Sequence, residues 1–290
     1  MTKTITQPVE EKVTPKKEKM VKDADGTITL NLSIPQDDIK KTWEEEIVAA
    51  VKKATLPGFR EGKAPREMVE PRLDTEKIKE EVLKKLLPKY YVAAVNELGI
   101  KPIINPKIHV EKLDDGADWE FHAITCEMPE VTLNNYKEKV KDITAKSKIV
   151  IPGKEEQQAD FDAIVKVILD VVTVRVPSVL VEGEVERLLS QLLNEIKSLG
   201  LSLEQYLASA KKTTEELQKE YTEKATNDIT FEFVLQKIAE EEKLTVTPEE
   251  IQEAMNKAKD DAERKQLEAN VYLLANILRQ QKTLDFLRNL

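Results

Sequence analysis

Residues 27–51, TITLNLSIPQDDIKKTWEEEIVAAV, change their hydrophobic period at Pro35. Before it, Ile28, Leu30, Leu32 and Ile34 alternate with Thr29, Asn31 and Ser33, the period of a strand buried on one face. After it, Ile39, Trp43, Ile47 and Val51 recur every fourth residue, one stripe of an amphipathic helix that a proline is suited to open. N-terminal to this switch, Met20–Lys22 and Thr27–Ile34 flank Asp25-Gly26, which predicts a hairpin. C-terminal to it, the stripe stops at Leu56-Pro57-Gly58 and a loop runs through Pro65. Ile78, Val82, Leu86 and Tyr90 mark a second helix, which Pro88 is expected to kink or divide and Gly99 to close. Residues 107–113 and 119–126 read as two further strands joined through Asp114-Asp115-Gly116. Residues 19–127 therefore read as a small α+β domain.

Residues 128–153 carry many lysines and little periodicity, and read as a linker. From 154 to 290 the pattern is helical throughout, predicting an elongated all-α domain. Phe161, Ile164, Val165, Ile168, Val171 and Val172 form one stripe. Val185, Leu188, Leu189, Leu192, Leu193, Ile196 and Leu199 form the next, stopped by Gly200. A third stripe runs from Leu217 to Ile238, and as one helix residues 213–241 would span roughly 43 Å. Thr247-Pro248-Glu249-Glu250 is a helix start, with a Thr cap, Pro in the first position and Glu three residues on. A last stripe runs from Leu267 to Leu287.

The bulk composition bounds the function. The chain has 290 residues, 34% charged and 5% aromatic, with a net charge of −9, so any contact with RNA requires a local basic patch. A single cysteine, Cys126, leaves no partner for an intramolecular disulfide. No apolar run approaches the ~18 residues of a membrane span. Residues 1–18 read as a flexible mixed-charge tail with no apolar signal segment. The expectation is a cytoplasmic protein without a membrane partner.

The stretch richest in chemistry is Gly58-Phe59-Arg60-Glu61-Gly62-Lys63-Ala64-Pro65. Its glycines release the backbone, its flanking prolines stiffen it, and it presents Phe59 and Arg60 outward, the composition of an interface anchor. Between Lys52 and Arg72 six basic residues (Lys52, Lys53, Arg60, Lys63, Arg66, Arg72) stand against three acids, a local positive patch within an acidic chain. Phosphate or an acidic protein surface suits it. On composition alone the stretch reads equally as a helix-connecting turn with a solvated charge run. It is not a P-loop, because Ala64 stands where Ser or Thr is needed and a helix precedes it.

The run GFREGKAP resembles the ribosome-binding signature of the trigger factor family, Gly-Phe-Arg-x-Gly-x-x-Pro, and lies between two helices of an N-terminal α+β domain as in that family. ITLNLSIPQDDI, PREMVEPRL and PEVTLNNYK are also similar to it. So are VRVPSVLVEGEVERLL and LTVTPEEIQEAM in the helical half. The resemblance covers residues 18 to 290, most strongly up to 137. It implies an ATP-independent chaperone that docks at the ribosomal tunnel exit and holds hydrophobic nascent segments in a helical cradle. It further implies that Phe59 and Arg60 contact a protein at the exit, that Gly58, Gly62 and Pro65 set the loop shape, and that Lys63 reaches RNA or the same protein. No DNA, cofactor or metal is implied, and the resemblance leaves room for self-association off the ribosome.

Two departures from the family stand out. Many members have Lys directly after Phe-Arg, where this chain has Glu61. Typical members also insert an FK506-binding-protein-like isomerase after the PEVTL segment. The roughly 25 residues available here are too few for such a β-rich domain, so no enzyme is expected. His109 and His122 lack further ligands for zinc, and Cys126 with His122 lacks the setting of a nucleophile pair. The competing reading is a ribosome-independent holdase or assembly chaperone sharing the helical domain.

Overall fold

The structure, a computed structural model, describes residues 19–147, 161–258 and 260–290. The expected tail, residues 1–18, and residues 148–153 lie outside the described residues. The chain divides between Glu127 and Met128 into two compact units.

The first unit begins with β1 (Met20–Lys22) and β2 (Thr27–Ile34), joined through the expected turn, where the Gly26 amide donates to the Asp23 carbonyl at 3.0 Å. Next come α1 (Gln36–Lys53), the short α2 (Arg66–Val69) with a 3-10 turn over Glu70–Arg72, and α3 (Thr75–Leu98). β3 (Lys107–Lys112) and β4 (Trp119–Cys126) complete an antiparallel sheet of order β1-β2-β4-β3. Leu30 faces Ala123, Leu32 faces Phe121 and Ile34 faces Trp119 across the central strand pair. Their period-2 face is buried against Ile39 and Ile47 of α1 and Ile78, Val82 and Leu86 of α3. The predicted alternation thus becomes the core.

Pro88 does not divide α3, which runs as one 24-residue helix. Proline removes the bond to the carbonyl four residues back and crowds that carbonyl with its ring. Here the core holds both halves, with Val82 and Leu86 before the proline and Tyr90 and Ala94 after it.

The second unit starts with β5 (Val131–Thr132) and α4 (Tyr136–Ser147). This corrects the expected linker over its described part. Leu133, Tyr136 and Val140 recur at helical spacing among the lysines and are buried. Ile164 and Ile168 cover them from α5 (Phe161–Val171). After α5, β6 (Thr173–Val174) pairs antiparallel with β5, so the unit is mostly helical rather than all-α. The remaining helices are α6 (Ser178–Ser198), α7 (Leu203–Ala210), α8 (Thr214–Glu241), α9 (Pro248–Asn256), α10 (Asp261–Ala269) and α11 (Val271–Asn289).

Helix α8 is the 28-residue rod foreseen from its stripe, about 42 Å long. Thr213 and Glu216 close its N-terminus in a capping box, as Thr247 and Glu250 do for α9. Its first half packs Leu217 and Ala225 against Val185, Leu188, Leu192 and Ile196 of α6. Its second half packs Val234, Leu235 and Ile238 against α4, α5 and Leu287 of α11. The last stripe is two helices rather than one, broken at Asn270 between α10 and α11.

Candidate functional site

The GFREGKAP loop is two consecutive tight turns. In the first, the Phe59 amide donates to the Leu56 carbonyl at 3.0 Å, with Pro57 in the second position and Gly58 in the third at φ +89°. In the second, the Lys63 amide donates to the Arg60 carbonyl at 3.0 Å, with Gly62 in the third position at φ +68°. A positive φ at the third position is the type II pattern, for which proline then glycine is the favoured pair. Phe59 ends the first turn and Arg60 starts the second, so the two side chains stand at the joint.

The two glycines have different reasons to be there. Gly58 faces open space and is required only by its backbone conformation. A Cβ on Gly62 would also collide with the carbonyl oxygen of Lys52, in the last turn of α1. The Gly62 amide donates to the Ala54 carbonyl at 3.1 Å, closing the loop onto the helix end.

Around this backbone the apolar and charged side chains separate. Ala64 and Val69 are buried and anchor the C-terminal stem. Phe59 remains 38% exposed, a large aromatic left in solvent. Arg60, Glu61, Lys63 and Pro65 are exposed beside it, as are Lys52 and Lys53. Pro65 at φ −59° precedes α2, and its carbonyl accepts from the Met68 amide at 3.0 Å. The structure thus brings Gly58, Phe59, Arg60, Gly62, Lys63 and Pro65 into one loop closed onto the end of α1.

Arg66 behaves differently from the other basic residues. Its guanidinium forks onto both carboxylate oxygens of Glu44 on α1, with Nη2 at 2.8 Å, and its Nε donates to Glu70 at 2.7 Å. The hydrogen bond from Arg66 holds the Glu44 carboxyl below the usual carboxylate range. Composition counts Arg66 into the basic patch, whereas the structure pairs it, still exposed, with Glu44 and Glu70. The sequence signal for this is Glu70, four residues on, but nothing in the sequence points to Glu44.

The histidines and the cysteine take structural places. His109 and His122 face each other across β3 and β4. The His122 ring lies between Asn31, 2.6 Å from Nδ1, and Glu111, 2.9 Å from Nε2. Cys126 is fully buried, and burial with Asp25 nearby pushes its thiol up to about 11, the inert form. Among the described residues no three His, Cys, Asp or Glu side chains are grouped to hold a metal. No helix among them is long and apolar enough to cross a membrane.

Comparison with known proteins supplies the family. The model of the bacterial trigger factor protein matches residues 17–164, and that of its C-terminus matches residues 132–290. The two matches overlap and leave no intervening chain. Trigger factor from Lactococcus lactis subsp. lactis is 37% identical over 128 residues, covering 44% of this chain and 30% of that protein. Trigger factor from Anoxybacillus flavithermus is 34% identical over 141 residues, covering 47% and 33%. The chain thus spans about a third of the length of the curated relatives it matches. A solved chain, from work on promiscuous substrate recognition in folding and assembly activities of the trigger factor chaperone, has a similar fold. Its TM-score is 0.61 at 13% identity, covering 93% of this chain and 98% of that one. The chain belongs to the bacterial trigger factor family, in a form whose N- and C-terminal parts meet with no isomerase domain between them.

Proposed function

We propose that the chain is an ATP-independent, cytoplasmic chaperone that docks at the ribosomal tunnel exit through Gly58–Pro65. The observation that carries this reading is Phe59, exposed beside Arg60 at the joint of two glycine turns. A partly exposed aromatic next to a guanidinium, on a loop stiffened by turns, is a preorganised anchor. Lys63, Lys52 and Lys53 add positive charge around it for rRNA phosphate or an acidic protein surface. Gly58, Gly62 and Pro65 hold the shape. Glu61 lies exposed within the second turn and moderates the attraction without altering the turn geometry.

The helical unit is proposed as the client-holding part, extended along the α8 rod. It leaves large apolar side chains in solvent at separate places: Leu199 at 73% after α6, and Tyr272 at 81% with Leu273 on α11. Scattered apolar sites bind an unfolded chain weakly at each point, and several together supply avidity with rapid local release. No nucleotide is then needed. The same exposed residues also suit a holdase or assembly chaperone acting away from the ribosome, so the loop decides between the two. Loss of ribosome co-sedimentation on Phe59→Ala with Arg60→Ala is the test.

A further inference from the structure

The loop is attached to α1 at two places, and the second has no counterpart in the Gly-Phe-Arg-x-Gly-x-x-Pro pattern. Glu44, Val48 and Lys52 are spaced four apart and form one row along α1. Gly62 packs against the backbone of Lys52 at one end of this row. Arg66 grips Glu44 at the other end, about 12 Å back along the helix. Between these points Ala64 is buried. The chain leaving the loop therefore runs back beside α1, fixed above and below.

We propose that Arg66 is a positioning residue, which sets the stem of the Phe59–Arg60 loop on α1 while its own charge is directed to Glu44 and Glu70 rather than to a partner. This rests on the docking reading above. The fork explains the residue type. Guanidinium matches a carboxylate with two parallel donors and keeps a third for Glu70, whereas a lysine ammonium is a point charge without that plane. Arg66 is exposed like Arg60 and Lys63, and it is the pairing with Glu44 and Glu70 that leaves Arg60 and Lys63 as the partner-facing cations.

This assignment inverts a simple electrostatic expectation. Glu44→Gln removes a negative charge near a surface proposed to meet phosphate, so charge alone would tighten binding. Loss of the clamp instead loosens the stem and weakens it. Arg66→Lys conserves charge yet loses the fork, and should behave like Glu44→Gln.

The experiment measures ribosome affinity of the full chain across a salt series. The variants are Glu44→Gln, Arg66→Lys, Arg66→Ala and Lys63→Ala, each checked for an unchanged thermal transition. Glu44→Gln and both Arg66 variants should bind about tenfold more weakly at every salt concentration, with the salt slope of the wild type. Lys63→Ala should lower that slope by about 1. Equal or tighter binding by Glu44→Gln overturns the proposal, as does a fall in slope by about 1 in Arg66→Ala, which would mark a direct partner contact. If an Arg66 variant fails to fold, Glu44→Gln decides. Wild-type chain that does not bind ribosomes at low salt removes the docking reading, and this inference with it.

Discussion

The Gly62 amide donates to the Ala54 carbonyl at 3.1 Å, across the mouth of the loop that carries Phe59 and Arg60. The bond joins the second of two turns to the end of α1, so the loop is a closed bracket rather than a free excursion. A bracket keeps an exposed aromatic in one orientation and lowers the entropy lost on docking.

The two glycines should separate by experiment. Gly58→Ala faces open space and meets only the left-handed backbone cost, about 1 kcal/mol. Gly62→Ala meets that cost and the Lys52 carbonyl as well. The expected outcome is faster hydrogen exchange at the residue-62 amide and a larger loss of ribosome affinity for Gly62→Ala than for Gly58→Ala. Equal effects would show that the contact with Lys52 is not tight.

Pro88 is exposed and sits inside α3, where it deprives the Lys84 carbonyl of its helical donor. Pro88→Ala restores that donor and should raise the stability of the first unit by about 1–3 kcal/mol, read by chemical denaturation. A destabilised variant would mean that the ring itself packs usefully.

Leu133, Tyr136 and Val140, within the stretch expected to be a linker, belong to the core of the second unit. Val140 is fully buried, in a cluster with Ile164, Ile168 and Val234. Val140→Ala should cost about 2 kcal/mol, measured by denaturation followed by a probe in the helical unit. A true linker residue would show no change. Trypsin should likewise spare Lys137, Lys139 and Lys141 in the native protein.

Acid should loosen the clamp in a defined direction. The Arg66 hydrogen bond depresses the Glu44 carboxyl, so the interaction is complete above the ordinary carboxylate range, about 4.3. It is lost as pH falls through the lowered Glu44 value. Loop hydrogen exchange, corrected for its intrinsic pH dependence, should be unchanged between pH 7 and 5 and accelerate only once the pH falls below the ordinary carboxylate range. Loosening between pH 7 and 5 would point to a different titrating group.

Period and punctuation made much of the fold legible. The alternation of Ile28, Leu30, Leu32 and Ile34, the caps at Thr213 and Thr247, and the turn at Asp25-Gly26 are local signals, and local geometry follows them. What was not legible depended on distant partners. The stripe of Leu133, Tyr136 and Val140 is hidden among lysines, and it becomes a core only because Ile164 and Val234 arrive to cover it. Proline at 88 marks a break by local rules, and packing on both sides overrides them. In the candidate site, the glycines of the loop announce its turns, because φ above zero is a local demand. Arg66 does not announce its partner, since Glu44 lies 22 residues away in sequence.

The central claim is that Phe59 and Arg60 dock this chain on the ribosome. Its most direct measurement is co-sedimentation with ribosomes, at low and at physiological salt, of the wild-type chain and of the Phe59→Ala, Arg60→Ala double variant. The account predicts that the wild type pellets and the variant stays in the supernatant. Wild type that stays in the supernatant at both salts, or a variant that pellets equally, would contradict it and favour a chaperone acting away from the ribosome.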